Sequence, residues 1–379
     1  MSLKLPLYCL KSIFILSCLL ILQPAISQSK WAELDEILMQ KQQLLGKDLV
    51  MMVASKDTIL YKKELGDFKT KTQAPIASAS KWLTAALIMI LVDEGKISLD
   101  DKVVNYIPEF GKYFKNYITI RHCLSHMTGI KEEAGILRNL VQRRKYGSLE
   151  EEVNVIASRE IEAAPGTEFR YNSYGLNIAG RIAEVVTKKK FDQLIKAKLF
   201  VPAGMRSTSF SDVNMGPVNP SGGAKSTAED YMRFLTMLLN KGKWNGKQVI
   251  TEESIRAMME IQTRAEQIKF APKSAEGFNY ALGSWVVEEI TKPELYLDGK
   301  PLNRPNIPMN DEAETRTAQF ASALASPGLF GTWPMIDFKR GYAYLVFVKN
   351  LLGEDRANAH LEIKAVVDKQ VSKTSGNKN

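Results

Sequence analysis

The pattern Ser-x-x-Lys occurs three times in this chain, at Ser27–Lys30, Ser78–Lys81 and Ser375–Lys378. Serine is a weak nucleophile at its own pKa and needs a base beside it. A lysine one helical turn away shares its face, and burial favours the uncharged amine over the ammonium. The pattern therefore carries chemistry only where its surroundings supply a helix and burial. The first copy straddles a run of small residues and the third lies in a polar tail. Ser78-Ala-Ser-Lys81 instead follows Ala74-Pro-Ile-Ala77 and runs into Leu83, Ala86, Leu87, Ile90 and Leu91. That spacing, with Gly95 as the stop, predicts a helix with one buried face. Its start would offer unpaired N–H groups and a positive dipole end to a developing oxyanion. The competing reading is a capping serine with a solvated lysine, and position alone favours it.

The elements that must hold this pair are partly legible. Leu49–Val53 and Thr58–Tyr61, joined by Ala54–Asp57, predict a β-hairpin. Ile178, Ile182, Val185 and Val186 mark a second helix. Ser226-x-x-Glu229 reads as a capping box opening a third, with Tyr231, Phe234, Leu235, Leu238 and Leu239 as its buried face. Phe330–Ile336 and Tyr342–Val348 read as strands around the turn Asp337–Gly341. A last helix is expected from about Ala359 to Gln370, then a frayed tail from Ser372. Strands at both chain ends with helices between predict a mixed α/β (α+β) fold: one sheet, with a mainly helical insert.

Composition narrows the function. The chain has 379 residues, 45% apolar and 25% charged, which are ordinary values for a globular protein. They exclude a wholly disordered chain, a collagen and a polytopic membrane protein. Three cysteines, Cys9, Cys18 and Cys123, exclude a disulfide-stapled scaffold. Three histidines leave little for a His-rich metal site; His122 and His126 are four apart but lack a zincin glutamate, so a packed or capping role is expected. No G-x-S-x-G elbow and no phosphate-binding G-x-x-x-x-G-K-[ST] loop occurs. Nothing points to a metal or an organic cofactor. The net charge is +9. The basic runs Arg143–Lys145 and Lys188–Lys190 stand without a nucleic-acid motif and read as solvated surface.

Residues 1–27 read as an address. Lys4 and Lys11 precede the apolar run Ser12–Leu22, and Pro24-Ala-Ile-Ser27 supplies small residues for cleavage. The apolar core is shorter than the roughly 20 residues of a membrane span. An uncleaved anchor, or lipidation at Cys18 after Ile15-Leu-Ser17, ranks below a secretory signal. Cleavage after Ser27 would remove Lys4 and Lys11 and leave Cys123 as the lone thiol. An exported, disulfide-free chain suits a bacterial envelope, and its positive charge suits an anionic envelope surface.

Several blocks in order carry a family resemblance. They are Ser78-Ala-Ser-Lys-Trp-Leu-Thr-Ala-Ala86, Leu91–Asp101, Tyr106–Phe110, Ile118–Ile130, Pro165–Tyr171, Pro202–Met205 and Ser221–Tyr231. Together they resemble the serine β-lactamase and penicillin-binding protein superfamily, closest to its class C and esterase branch. The resemblance implies a β-lactamase/transpeptidase-like fold over residues 28–371: a sheet lobe from about 28–77 and 215–371, a helical lobe from about 82–210, and the active site between them. It implies Ser78 as acylated nucleophile, with Lys81 and Tyr171 as proton partners. Lys81 would lower the Tyr171 pKa by its charge, and the N–H groups of Ser78 and Leu329 would form the oxyanion hole. Pro165-Gly-Thr and Gly175 around Tyr171 weigh against a plain core tyrosine.

Two motifs depart from the family pattern. Tyr171-Asn-Ser173 puts serine where the family has asparagine, with Asn172 beside it as another candidate for substrate contact. Ser326-Pro-Gly328 puts serine where the family carries a cation, while Gly328 keeps the strand open to substrate. Without that cation the substrate need not carry a carboxylate. The expectation is an exported serine hydrolase for an ester or amide; a true β-lactamase or D,D-peptidase, or a catalytically weak binding protein on the same fold, stands as an alternative.

Overall fold

The computed structural model describes residues 30–132, 143–210, 216–289, 296–297, 300–301, 319–348 and 357–376. The expected leader 1–27, with Lys4, Lys11, Cys9 and Cys18, lies outside the described residues, as does the chain end 377–379. Among the described residues no helix is long and apolar enough to cross a membrane.

The strands are β1 (Leu49–Ser55), β2 (Ile59–Leu65), β3 (Asn279–Tyr280), β4 (Trp285–Glu289), β5 (Ala321–Ala325), β6 (Trp333–Asp337) and β7 (Tyr342–Val348). They form a seven-stranded antiparallel sheet in the order β3-β4-β5-β6-β7-β1-β2. The expected hairpin is β1–β2. The chain ends pair as expected, with Leu49 opposite Val348 and Ser55 opposite Tyr342. The helices that matter here are α1 (Ala32–Leu45), α2 (Ser80–Asp93), α3 (Ile120–Leu124), α4 (Leu149–Ser158), α5 (Tyr174–Thr187), α6 (Ala228–Leu239), α7 (Glu252–Met259) and α8 (Ala357–Gly376).

Both sheet faces are covered. Leu49, Met51, Val53, Tyr344 and Val346 pack on Leu34 and Leu38 of α1 and on Ile363 and Val367 of α8. Val50, Met52, Leu345 and Phe347 face the larger core that includes α2, α5 and α6. That is why Leu49–Val53 is apolar throughout rather than alternating. Lys364 of α8 bonds Glu288, Asp337 and Asp368, and Arg340 joins the same carboxylates. This ion-pair knot ties α8 to β4 and β6.

Four details differ from the sequence-based expectation. Helix α2 is buried on every side from Ser80 to Leu91, because Trp82, Ala85, Ile88 and Met89 fill the turns between the periodic positions. A helix apolar all round belongs inside, and α2 packs against α5 and α7. The cap of α6 is Thr227, which accepts the Asp230 N–H at 3.1 Å; Ser226 ends a short strand and shares its hydroxyl with Thr208. Strand β6 starts at Trp333, since Gly328–Gly331 makes a turn closed by the Gly331 N–H to the Gly328 carbonyl, with Gly331 at φ +88°. Helix α8 runs from Ala357 to Gly376, past Gln370 and into the expected tail.

Candidate active site

The chain enters α2 through a 3₁₀ turn, Ala77–Ala79. Ala77 sits at φ +44°, a left-handed conformation that costs an L-residue roughly 1–2 kcal/mol. No side chain caps this turn or α2, so Ser78 is not a capping serine. Lys81 is not solvated either: it is 3% exposed. Its Nζ lies 3.2 Å from the Ser78 Oγ, donates to the Ser221 carbonyl at 2.9 Å, and stands 4.8 Å from the centre of the Tyr171 ring. The competing capping reading therefore fails on both residues.

Burial pushes the Lys81 ammonium down to about 7, against an opposing pull from the Glu132 carboxylate. Tyr171 behaves contrary to expectation. Burial raises its hydroxyl above the ordinary tyrosine range, and a hydrogen bond with Ser78 only partly opposes this. The expected lowering by the charge of Lys81 is not seen, and the loss of water dominates. Of the two groups, burial brings only Lys81 into the neutral pH range, and Tyr171 keeps its proton.

Gly328 brings its turn close against the turn that carries Ser78. A Cβ on Gly328 would stand 2.2 Å from the Ile76 carbonyl oxygen and 3.5 Å from the Ala79 nitrogen. Only glycine permits this approach of the Gly328–Leu329 turn to the Ser78 turn. Neither the Ser78 nor the Leu329 N–H enters a backbone hydrogen bond among the described residues.

The remaining candidates divide. Ser173 stands at the start of α5 without a capping bond and lines a cleft with Arg143, Glu152, Arg159 and Tyr174. The Asn172 side chain bonds its own turn: its oxygen accepts the Tyr174 N–H at 2.9 Å and its nitrogen donates to the Arg170 carbonyl at 3.1 Å. Ser326 is buried, with its hydroxyl directed to the Gly283 carbonyl at 3.4 Å.

His126 takes the packed role expected of it, 4.6 Å from the Tyr171 ring and hydrogen-bonded through Nε2 to the Tyr280 hydroxyl at 3.2 Å, but its place beside Tyr171 was not legible in the sequence. Trp285 also packs on Tyr171, at 5.2 Å between ring centres. Behind Lys81 a buried chain of bonds holds Ser221: its N–H donates to the Asn177 oxygen at 3.0 Å, the Asn177 nitrogen donates to Glu152 at 2.9 Å, and Arg143 grips Glu152 through two nitrogens at 2.6 and 2.5 Å. Asn177 did leave a sequence signal, a lone amide on the apolar face of α5 between Leu176 and Ile178. His122 takes the capping role expected of it, paired with Thr119 at the start of α3.

The chain matches known proteins along most of its length. A family model described as Beta-lactamase covers residues 36–368. Protein Rv1367c of Mycobacterium tuberculosis is 26% identical, over 76% of this chain and 82% of that one. A solved structure from Bacteroides dorei is 25% identical with a TM-score of 0.73, over 90% of this chain and 99% of that one. EstCE1, a hydrolase with promiscuous acyltransferase activity, shares the fold at 17% identity and TM-score 0.70, over 91% and 100% of the two chains. The antiparallel sheet backed by helices is thus the β-lactamase/transpeptidase-like fold, and the chain belongs to the β-lactamase family of serine hydrolases and penicillin-binding-protein-like proteins.

Proposed function

We propose that this protein is an exported serine hydrolase that forms an acyl-enzyme on Ser78 from an ester or amide substrate. The observation that carries the reading is the 3.2 Å contact between the Ser78 Oγ and a buried Lys81 whose pKa lies near 7. Neutral Lys81 takes the Ser78 proton as the Oγ bonds to the substrate carbonyl carbon. The negative oxygen forms between the N–H groups of Ser78 and Leu329. Collapse breaks the bond to the leaving group, which takes a proton from Tyr171; Lys81 returns its proton to Tyr171. Water then repeats the sequence on the acyl-enzyme and frees the acid and Ser78.

Substrate choice follows from the departures. Ser326 brings no charge to the third motif, and its hydroxyl is directed to Gly283. At this position a substrate carboxylate meets a hydroxyl rather than a cation, which favours neutral esters and amides over β-lactams and D-alanyl peptides. A binding protein without catalysis has no use for a neutral lysine held against a serine. Residues 1–27 act as the export signal in this reading, with the mature chain beginning at Gln28.

The test is active-site labelling. The intact protein is expected to take one equivalent of a fluorophosphonate probe, and Ser78→Ala none. Short-chain p-nitrophenyl esters are expected to turn over faster than nitrocefin or D-Ala-D-Ala peptides. An unlabelled wild type, or equal labelling of Ser78→Ala, overturns the assignment.

A further inference from the structure

We propose that His126 is a positioning residue for Tyr171, holding the peptide on either side of it and so fixing the phenol against Ser78 and Lys81. The inference rests on the catalytic reading above and adds a residue to it. His126 meets the Tyr171 segment twice. Its backbone carbonyl accepts the Arg170 N–H at 3.1 Å, and its Nδ1 accepts the Asn172 N–H at 3.4 Å. The residues before and after Tyr171 are thereby bound to one side chain and its own backbone. The ring itself lies against Tyr171 at 4.6 Å and against Phe169 at 5.7 Å.

The tautomer follows from these partners. Nδ1 faces an N–H and must be the acceptor, so Nε2 carries the hydrogen and donates to the Tyr280 oxygen at 3.2 Å. Burial and the nearby Lys81 keep the ring neutral, well below the ordinary histidine range. Protonation would place a second N–H against Asn172 and break the clamp. The titratable groups facing the ring are Lys81, Tyr171 and Tyr280.

Packing alone does not explain a histidine here. The surroundings are aromatic: Phe169, Tyr171, Tyr280 and Trp285 form one cluster with Met127. A phenylalanine would fill that space without burying a polar ring. His126 also sits at φ +57°, a strained conformation of the sort that persists where a site requires it. Both costs are offset only if both ring nitrogens are used.

The experiment compares His126→Asn with His126→Phe in the full-length chain. Asparagine puts an amide oxygen where Nδ1 was and tolerates the left-handed backbone; phenylalanine keeps the ring and loses the acceptor. With fluorophosphonate as the acylating probe, His126→Phe is expected to label Ser78 about 100-fold more slowly, the scale of a small misplacement of a reacting group. His126→Asn is expected to stay within about fivefold of wild type, because the hydrogen bond that orients the next peptide is kept. A packing role gives the reverse order, and that order overturns the proposal. Hydrogen exchange at the Asn172 amide gives a readout that needs no catalysis: protection in wild type and His126→Asn, loss in His126→Phe. If the wild type fails to label, the catalytic reading falls while the exchange result still decides the clamp. If His126→Phe does not fold, an unprotected Asn172 amide in the wild type is sufficient to overturn it.

Discussion

Lys81→Met is expected to slow acylation of Ser78 by about 10²–10⁴-fold, the usual worth of a positioned general base, in a chain that stays folded. Methionine keeps the length and the apolar stem of lysine and removes only the amine. The fold is expected to survive because the buried amine is a liability. Its folded-state pKa, about 7, is depressed from the ordinary 10.5. Between those values the unfolded chain binds a proton that the folded chain does not. The lysine's contribution to stability is therefore fully present above the unfolded pKa and is lost as pH falls towards 7. Replacing it removes this penalty, while the Ser221 carbonyl loses a partner, at a cost of about 1–3 kcal/mol. The melting temperature of Lys81→Met at neutral pH is expected to equal or exceed that of wild type, with the advantage shrinking as pH rises. A variant that melts well below wild type would assign Lys81 a structural role instead.

The same group sets the pH dependence. Acylation is expected to rise with pH as Lys81 deprotonates and to be half-maximal near pH 7. Tyr171 stays protonated through that range because burial raises it, and His126 stays neutral because burial and Lys81 lower it. Neither bends the profile. Glu132 raises the Lys81 pKa by its charge, so Glu132→Gln is expected to move the rising limb to lower pH. A limb that moves up, or a wild-type rate flat from pH 5 to pH 9, about two units either side of the transition, would remove Lys81 as the acceptor.

What the sequence exposed and what it hid follow one division. Ser78 and Lys81 are three residues apart on a helix, and local spacing suffices to find them. The hairpin β1–β2 and the last strand β7 announce themselves by apolar runs. The all-round burial of α2 does not, because a period-of-3.6 search rewards one face and passes over Trp82, Ile88 and Met89 on the others. The cap of α6 was misplaced by one residue because Ser226-x-x-Glu229 and Thr227-x-x-Asp230 overlap and only backbone geometry chooses between them. The local bonding of Asn172 was not legible because a free amide and one spent on its own turn look alike in sequence. The contacts that bring His126 and Ser221 to the site were invisible for a different reason. His126 meets Asn172 across 46 residues, and Lys81 meets Ser221 across 140. No local pattern reports a contact of that kind.

Glu152→Ala is the stability counterpart of Lys81→Met, and it is expected to cost about 3–5 kcal/mol, the penalty for stripping one partner from a buried ion pair. The side chains of Arg143 and Glu152 are 11% and 5% exposed, and their bidentate contact shields both charges. Among the described residues, removing the carboxylate leaves the Arg143 guanidinium with the carbonyls of Pro217 and Val218. It also strips the Asn177 nitrogen of its acceptor, and Asn177 holds the N–H of Ser221, whose carbonyl positions Lys81. The loss should therefore appear twice: as a lower urea midpoint, and as slower labelling of Ser78 under conditions where the variant is still folded. The two effects can be separated. Arg143→Met with Glu152→Leu replaces the pair by apolar side chains and should recover most of the stability, because no charge is left buried. It should not recover the labelling rate, because Asn177 still lacks its acceptor and the Ser221 loop is free to shift. Recovery of both would show that the pair serves the fold alone; a single Glu152→Ala cost below about 1 kcal/mol would show that the guanidinium is solvated after all.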